Sequence, residues 1–447
     1  MGGLLVEDVS LSSHTCMDIR HKGCGVESRR IALRGASFAM TSRIEDYALI
    51  GDCHTAALVA RNGSIDWFCL PRFDSGACFA ALLGTPEHGC WRLSPKGSVR
   101  KIQRRYREGT LVLETEYETE EGSVTVIDCM PPRGLHPILV RTVAGKRGRV
   151  SMQMELIIRF DYGSIVPWVR RTETGIRAVA GPDTLLLHTG VDLRGENFTT
   201  VAAFTVAEGE RVPFTLVWHP SQDADPAPID PEAAIGDTER WWREWSDRCT
   251  YEGEWREAVL RSLITLKGLT YAPTGGIVAA PTTSLPEQLG GVRNWDYRYC
   301  WVRDATFTLY ALMMGGYTAE AGAWREWLLR AVAGRPSEPN IMYGLAGERR
   351  LPELELEWLP GYEGASPVRT GNAAYKQFHL DLFGEVMGPF GFGTLSPLES
   401  RSATDPISRP EYKDSRDFLC RADRRSFLPN RERYGLKERR RYEATLR

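Results

Sequence analysis

Between residues 44 and 218 apolar positions come in short, often alternating runs, whereas beyond residue 235 they recur at helical spacing. The chain therefore divides into a β part and a helical part. Segments 56–60 and 64–70 flank Asn62-Gly63, and because both turn residues tolerate positive φ they predict a hairpin. Further strands are predicted over 111–117, 124–127, 138–143, 152–160, 184–188 and 214–218. Met152-Gln153-Met154-Glu155-Leu156 has the two-residue period of a strand buried on one face only. Turn clusters separate these runs with no helical period between them, which predicts an antiparallel β-sandwich over 41–225.

A Pro- and Asp-rich connection over 221–231 sets the domain boundary. Helices follow over 238–249, with Trp241, Trp242 and Trp245 on one side, and over 254–270, with Trp255, Val259, Leu263 and Leu266 as the inward line. Over 305–314, Phe307, Tyr310, Ala311 and Met314 have helical spacing, and Gly315-Gly316 stops the helix. Thr318 is placed to cap the next one, whose apolar line is Trp324, Trp327, Leu328 and Ala331. A last helix is predicted over 372–386. Helix pairs joined by such short turns predict an all-α array or toroid over 235–387. Residues 1–40 lack a period and are expected to form a disordered extension, with Met40 at the junction. Residues 388–447 carry 14 Lys+Arg against 9 Asp+Glu, a net of +5 in a chain of net charge -2, and are expected to be an unstructured basic tail.

Composition narrows the partner. A net charge of -2 gives no electrostatic reason to expect nucleic acid or an anionic membrane, and the Arg-rich run at 437–441 lacks interleaved aromatics. No apolar run approaches the roughly 18 residues of a membrane span. The 10 cysteines show no CxxC spacing and the 8 histidines are scattered, so neither a metal nor a cofactor is expected. Unpaired thiols point to a reducing, cytoplasmic setting. A small, neutral ligand fits best, and a homo-oligomer stays open.

One stretch concentrates chemistry: Asn294-Trp295-Asp296-Tyr297-Arg298-Tyr299-Cys300-Trp301-Val302-Arg303-Asp304. Aromatic faces cover the apolar side of a pyranose ring, and a fixed Arg and Asp supply donors and acceptors for its hydroxyls. On spacing alone, Asp304 has a second reading as the cap of a helix starting at Ala305. The aromatics likewise have one as core packing around a helix end.

This stretch resembles the catalytic domain of glycoside hydrolase family 15, the glucoamylase and trehalase-like enzymes. Residues 276–287, 343–348, 358–364 and 371–374 are similar to neighbouring blocks of that family, and 44–52 and 61–74 to the N-terminal β-sandwich domain of its bacterial trehalase-like members. The resemblance covers about residues 44–387. It implies a β-supersandwich followed by an (α/α)6 toroid, and hydrolysis of α-glucosidic bonds, in α,α-trehalose or an α-1,4-glucan, with inversion. It also implies that Arg303 and Asp304 grip the hydroxyls of the non-reducing-end glucose, that Tyr297 stands near the developing oxocarbenium ion, that Trp301 lines the same subsite, and that Tyr362 forms an aromatic wall.

The departure lies in the catalytic pair. Inversion needs an acid and a base roughly 6.5–9.5 Å apart. The family's two are glutamates in later helices, the acid in a Trp-Glu context, and no Trp-Glu dipeptide occurs in this sequence. Glu363 lies in a binding loop, Glu385 on a helix ahead of the acid's place, and Glu399 has no supporting context, so no catalytic residue is assigned. The expectation is a truncated member with about half a toroid, its reading frame altered near Met387, and little or no activity. The alternative is a catalytically inactive carbohydrate-binding remnant.

Overall fold

A computed structural model describes residues 42–333, 338–377 and 379. The expectations placed on residues 1–40, on 388–447 and on Glu385 and Glu399 lie outside these residues. In the β part the predicted hairpin is present as strands Ala56–Ala60 and Ser64–Cys69. Gly63 between them has φ 82°, and a Cβ there would stand 2.3 Å from the Leu93 carbonyl oxygen. Only glycine satisfies both the turn and the close approach.

Segments 138–143 and 152–160, read as two strands, are one: Ile138–Ile157 runs unbroken for 20 residues. Its first part pairs with Gly122–Cys129 and Arg211–Pro220, its second with Cys90–Pro95 and Thr199–Ala207. The polar run Lys146-Arg147-Gly148-Arg149, which suggests a break, is its exposed middle. Gly145 makes the passage feasible, since a Cβ there would lie 1.9 Å from the Ala207 carbonyl oxygen. Strands on both sides of this shared element close over one apolar core, including Ile65, Leu93 and Met154 with Leu113, Val126 and Leu216. Where the two halves meet, fully buried Arg141 donates to Asp128 Oδ1 (2.7 Å) and to the carbonyls of Trp91 (2.7 Å) and Gly63 (2.8 Å). Its charge is tolerated there because its donors are occupied. Among the described residues every strand pairing is antiparallel, and the result is a large antiparallel sandwich.

The helical part begins earlier than predicted. Helix α1 is Pro231–Ser246, because Asp230 Oδ1 accepts from the N–H groups of Glu232 (2.9 Å) and Ala233 (3.3 Å) and Pro231 suits the first turn. Its Ala234 and Ile235 pack on Val140 and Ala144 of the long strand, and Trp242 and Trp245 are buried farther along. Helix α2, Arg256–Gly268, buries Leu263 and Ile264. Trp255 precedes its first turn and is exposed, so it does not belong to the inward line.

Helix α3, Val302–Met314, corrects the reading of its faces as well as its start. Its buried line is Val302, Ala305, Leu309 and Leu312, whereas Phe307, Tyr310 and Met314 are 66%, 52% and 66% exposed. Both lines have helical spacing, and the one with smaller side chains meets the neighbouring aromatic core. Asp304 is therefore not the cap; Trp301 holds that position without a side-chain bond. Helix α4, Thr318–Val332, buries Trp324, Trp327, Leu328 and Ala331 as the pattern predicts, with Thr318 as its first residue and Tyr317 at the cap position. The helix predicted over 372–386 does not run continuously from its start: Asn372 caps a single tight turn, Ala373–Lys376, and Gln377 is extended. The seven described cysteines are all buried and unpaired. No helix among the described residues is long and apolar enough to cross a membrane.

One carboxylate joins three helices. Buried Glu320 of α4 accepts from the Trp245 indole N–H of α1 (2.7 Å) and from Lys267 Nζ of α2 (2.9 Å). Burial pushes its carboxyl up, but the Lys267 charge and the two hydrogen bonds outweigh burial and hold it below the ordinary value of 4.5. Because the folded group titrates below the unfolded one, its contribution is complete above about pH 4.5 and is lost as pH falls through the folded value. Thermal unfolding followed against pH should show Glu320→Gln with a lower Tm near neutrality and a shallower loss on acidification. Curves parallel to the parent's would refute the assignment.

Candidate functional site

Three short pairings build the platform ahead of α3: Thr283–Pro286 with Asn294–Asp296, Cys300–Trp301 with Met342–Tyr343, and Leu354–Glu355 with Arg369–Thr370. The segment between them is fixed from below. Asp296 and Arg298 are completely buried and form a bidentate pair, Nε to Oδ1 at 2.9 Å and Nη2 to Oδ2 at 2.7 Å. Arg298 Nη1 donates across to the sandwich, to the carbonyls of Ser75 (2.9 Å) and Phe73 (3.4 Å), and its guanidinium lies 5.4 Å from the centre of the Tyr162 ring. Asp296 Oδ2 also accepts from the Gly371 N–H (3.1 Å), and its carbonyl from Asn372 Nδ2 (3.0 Å). Planar bidentate geometry and a bond from each of its three nitrogens are what allow an arginine to be buried this deeply.

The candidate residues occupy the other side of the same segment. Tyr297 and Trp301 are half-buried, with ring centres 6.4 Å apart and planes tilted by 36°. Arg303 and Asp304 stand in the first turn of α3, 3.8 Å apart and each with 45% of its side chain exposed. Partial burial raises the Tyr297 phenol above its ordinary range, with the charges of Glu287 and Asp304 adding and that of Arg293 opposing. The Trp301 indole N–H is buried with no partner among the described residues, a donor left over at the edge of the group. Together these supply two aromatic surfaces, one cation and one carboxylate, which suits a polyhydroxylated ring.

Tyr362 is placed elsewhere. Its ring is buried with Trp67, Leu82, Leu359 and Val368, and its hydroxyl donates to the Ser42 carbonyl at 3.4 Å. It seals the junction with the sandwich and offers no open aromatic wall. Glu363 beside it is exposed in the left-handed region, φ 49°. The sequence did not distinguish Asp296 and Arg298, which organise the site, from Arg303 and Asp304. Their two-residue spacing at the end of the strand Asn294–Asp296 is the available signal, since alternation carried past the strand end buries both and leaves Tyr297 between them half-exposed.

If the buried pair holds this platform, Arg298→Met should cost about 3–5 kcal/mol, because it strands a buried carboxylate. Urea unfolding would measure it, and a double variant replacing Asp296 and Arg298 by apolar residues should recover much of the loss. A single variant as stable as the parent would show that the pair is not the anchor.

Two family models match the chain: Trehalase-like, N-terminal, over residues 27–220, and Glycosyl hydrolases family 15, over residues 253–405. The first begins before Thr41 and the second runs past Met387. A trehalase of Mycolicibacterium smegmatis is 36% identical over 406 residues, covering 83% of this chain and 60% of that protein. Trehalase 1 of Sulfolobus acidocaldarius is 33% identical, covering 75% and 57%, and a trehalase of Thermoplasma volcanium is 30% identical, covering 77% and 56%. The chain thus spans 60% or less of the length of these relatives.

Proposed function

We propose, from the premise that this chain belongs to glycoside hydrolase family 15 with a trehalase-like N-terminal domain, that its site holds the terminal glucose of an α-glucosidic substrate. Tyr297 and Trp301 cover the apolar face of the ring, Asp304 accepts from adjacent hydroxyls, and Arg303 donates to them. The observation that carries this reading is the division of labour in one segment: Asp296 and Arg298 are wholly consumed by internal bonds, while the four candidates remain half-exposed on the other side. Trehalose and α-1,4-glucan ends both present such a glucose. Tyr362, buried in the junction, takes no part.

The helical part is read as belonging to an (α/α)6 toroid, with the sandwich over 41–225 and the hydrolase segment over 235–387. Cleavage is a separate matter. No residue here is assigned as acid or base, and the Trp-Glu context of the family's acid is absent from the sequence. The chain by itself is therefore proposed to bind sugar without hydrolysing it at an appreciable rate.

Titration calorimetry with glucose and trehalose should give saturable binding that Asp304→Ala weakens about ten- to a hundredfold, the loss expected for hydrogen bonds to a charged acceptor. Unchanged binding in that variant would remove Asp304 from the site. Glucose release from trehalose or maltose by the purified chain, above a blank, would refute the claim that cleavage is missing.

A further inference from the structure

The sandwich carries a second concavity that the sugar site leaves unused. It is a groove of about 510 Å³ bounded by strand Trp168–Thr172 and by residues 193–200. Its floor is apolar and belongs to the core, with Leu156, Ile158, Ile176 and Leu193. Two large aromatics stand on its rim almost entirely in solvent, Trp168 at 89% and Phe198 at 82% exposure. Aromatic area of that size is seldom left in water unless something covers it.

Two more features specify the occupant. Trp168–Thr172 ends the strand order, pairing only with Gly175–Ala180, so its outer N–H and C=O groups have no ladder among the described residues. Four arginines also line the groove: Arg159, Arg170, Arg171 and Arg194. Arg171 and Arg194 share one exposed carboxylate, Asp192, at 3.5 and 3.9 Å, and Arg170 has no ion-pair partner among the described residues. The groove is therefore cationic at its rim and apolar at its floor.

A second copy fits poorly. Antiparallel self-pairing centred on Arg170 would set it against its own counterpart, with like charges directly opposed. The segment 388–447, with its net charge of +5, has the wrong sign. We infer that the groove receives an extended, acidic segment of another polypeptide, which adds a strand along Trp168–Thr172, sets its carboxylates on the arginines and seats alternate apolar side chains between Trp168 and Phe198. A flat bilayer would also take up Trp and Arg, but it has no backbone to offer the unpaired N–H and C=O groups of the strand that bounds the groove.

The test uses the full chain and a fluorescent pool of peptides of about seven residues, alternating Asp or Glu with Val, Ile, Phe or Tyr. Binding should be saturable, weaken with salt, and protect the amides of Trp168–Thr172 from hydrogen exchange. Trp168→Ala and the pair Arg170→Glu with Arg171→Glu should each weaken it about tenfold or more, with thermal unfolding unchanged because all three side chains are exposed. The proposal is overturned by no binding from the acidic pool, by equal binding of a pool with Lys in place of Asp and Glu, or by protection elsewhere. It is equally overturned if this face binds only anionic phospholipid vesicles, or only a second copy as read by sedimentation.

Discussion

Everything around the candidate site depends on one buried ion pair. Asp296 and Arg298 give up hydration entirely, and that cost is offset only because each finds a full set of partners: each other, two sandwich carbonyls, and the Gly371 N–H. The partners come from three separated parts of the chain. Fixing the pair therefore fixes the sandwich loop at 73–75, the segment at 294–301 and the turn at 371–372 relative to one another. With Asp296 and Arg298 both facing inward, Tyr297 between them has no choice of side.

The start of α3 shows the same priority from another direction. A helix is most easily begun with a side-chain cap, yet the cap position is held by Trp301, which makes none. Its indole leans instead toward Tyr297. Asp304, inside the first turn, does not hold the cap position, so its half-exposed carboxylate is not spent as the cap. Local helix stability has been set below the arrangement of side chains in front of it.

How much of this was legible depended on how local the cause was. The hairpin at Asn62-Gly63 was legible because its cause is contained in two residues. The line Trp324, Trp327, Leu328 and Ala331 was legible because α4 has a single apolar face. Helix α3 was not, since it carries two apolar lines of equal period and only its neighbours decide between them. The four charges at 296, 298, 303 and 304 look alike in sequence. What separates them is contact with Phe73 and Ser75, more than two hundred residues away, and no periodicity encodes that. The start of α1 is hidden for a simpler reason: Asp230-Pro231 looks like the end of a linker in sequence and is the beginning of a helix in the fold.

The strand Ile138–Ile157 has a consequence for how such a domain can be inherited. Because each of its ends completes a different half of the sandwich, and Arg141 on it reaches carbonyls from across the junction, neither half retains its neighbours if the gene is cut within it. A break anywhere along this strand leaves both layers of the sandwich short of a pairing edge, so the two layers are one unit of exchange as well as of folding.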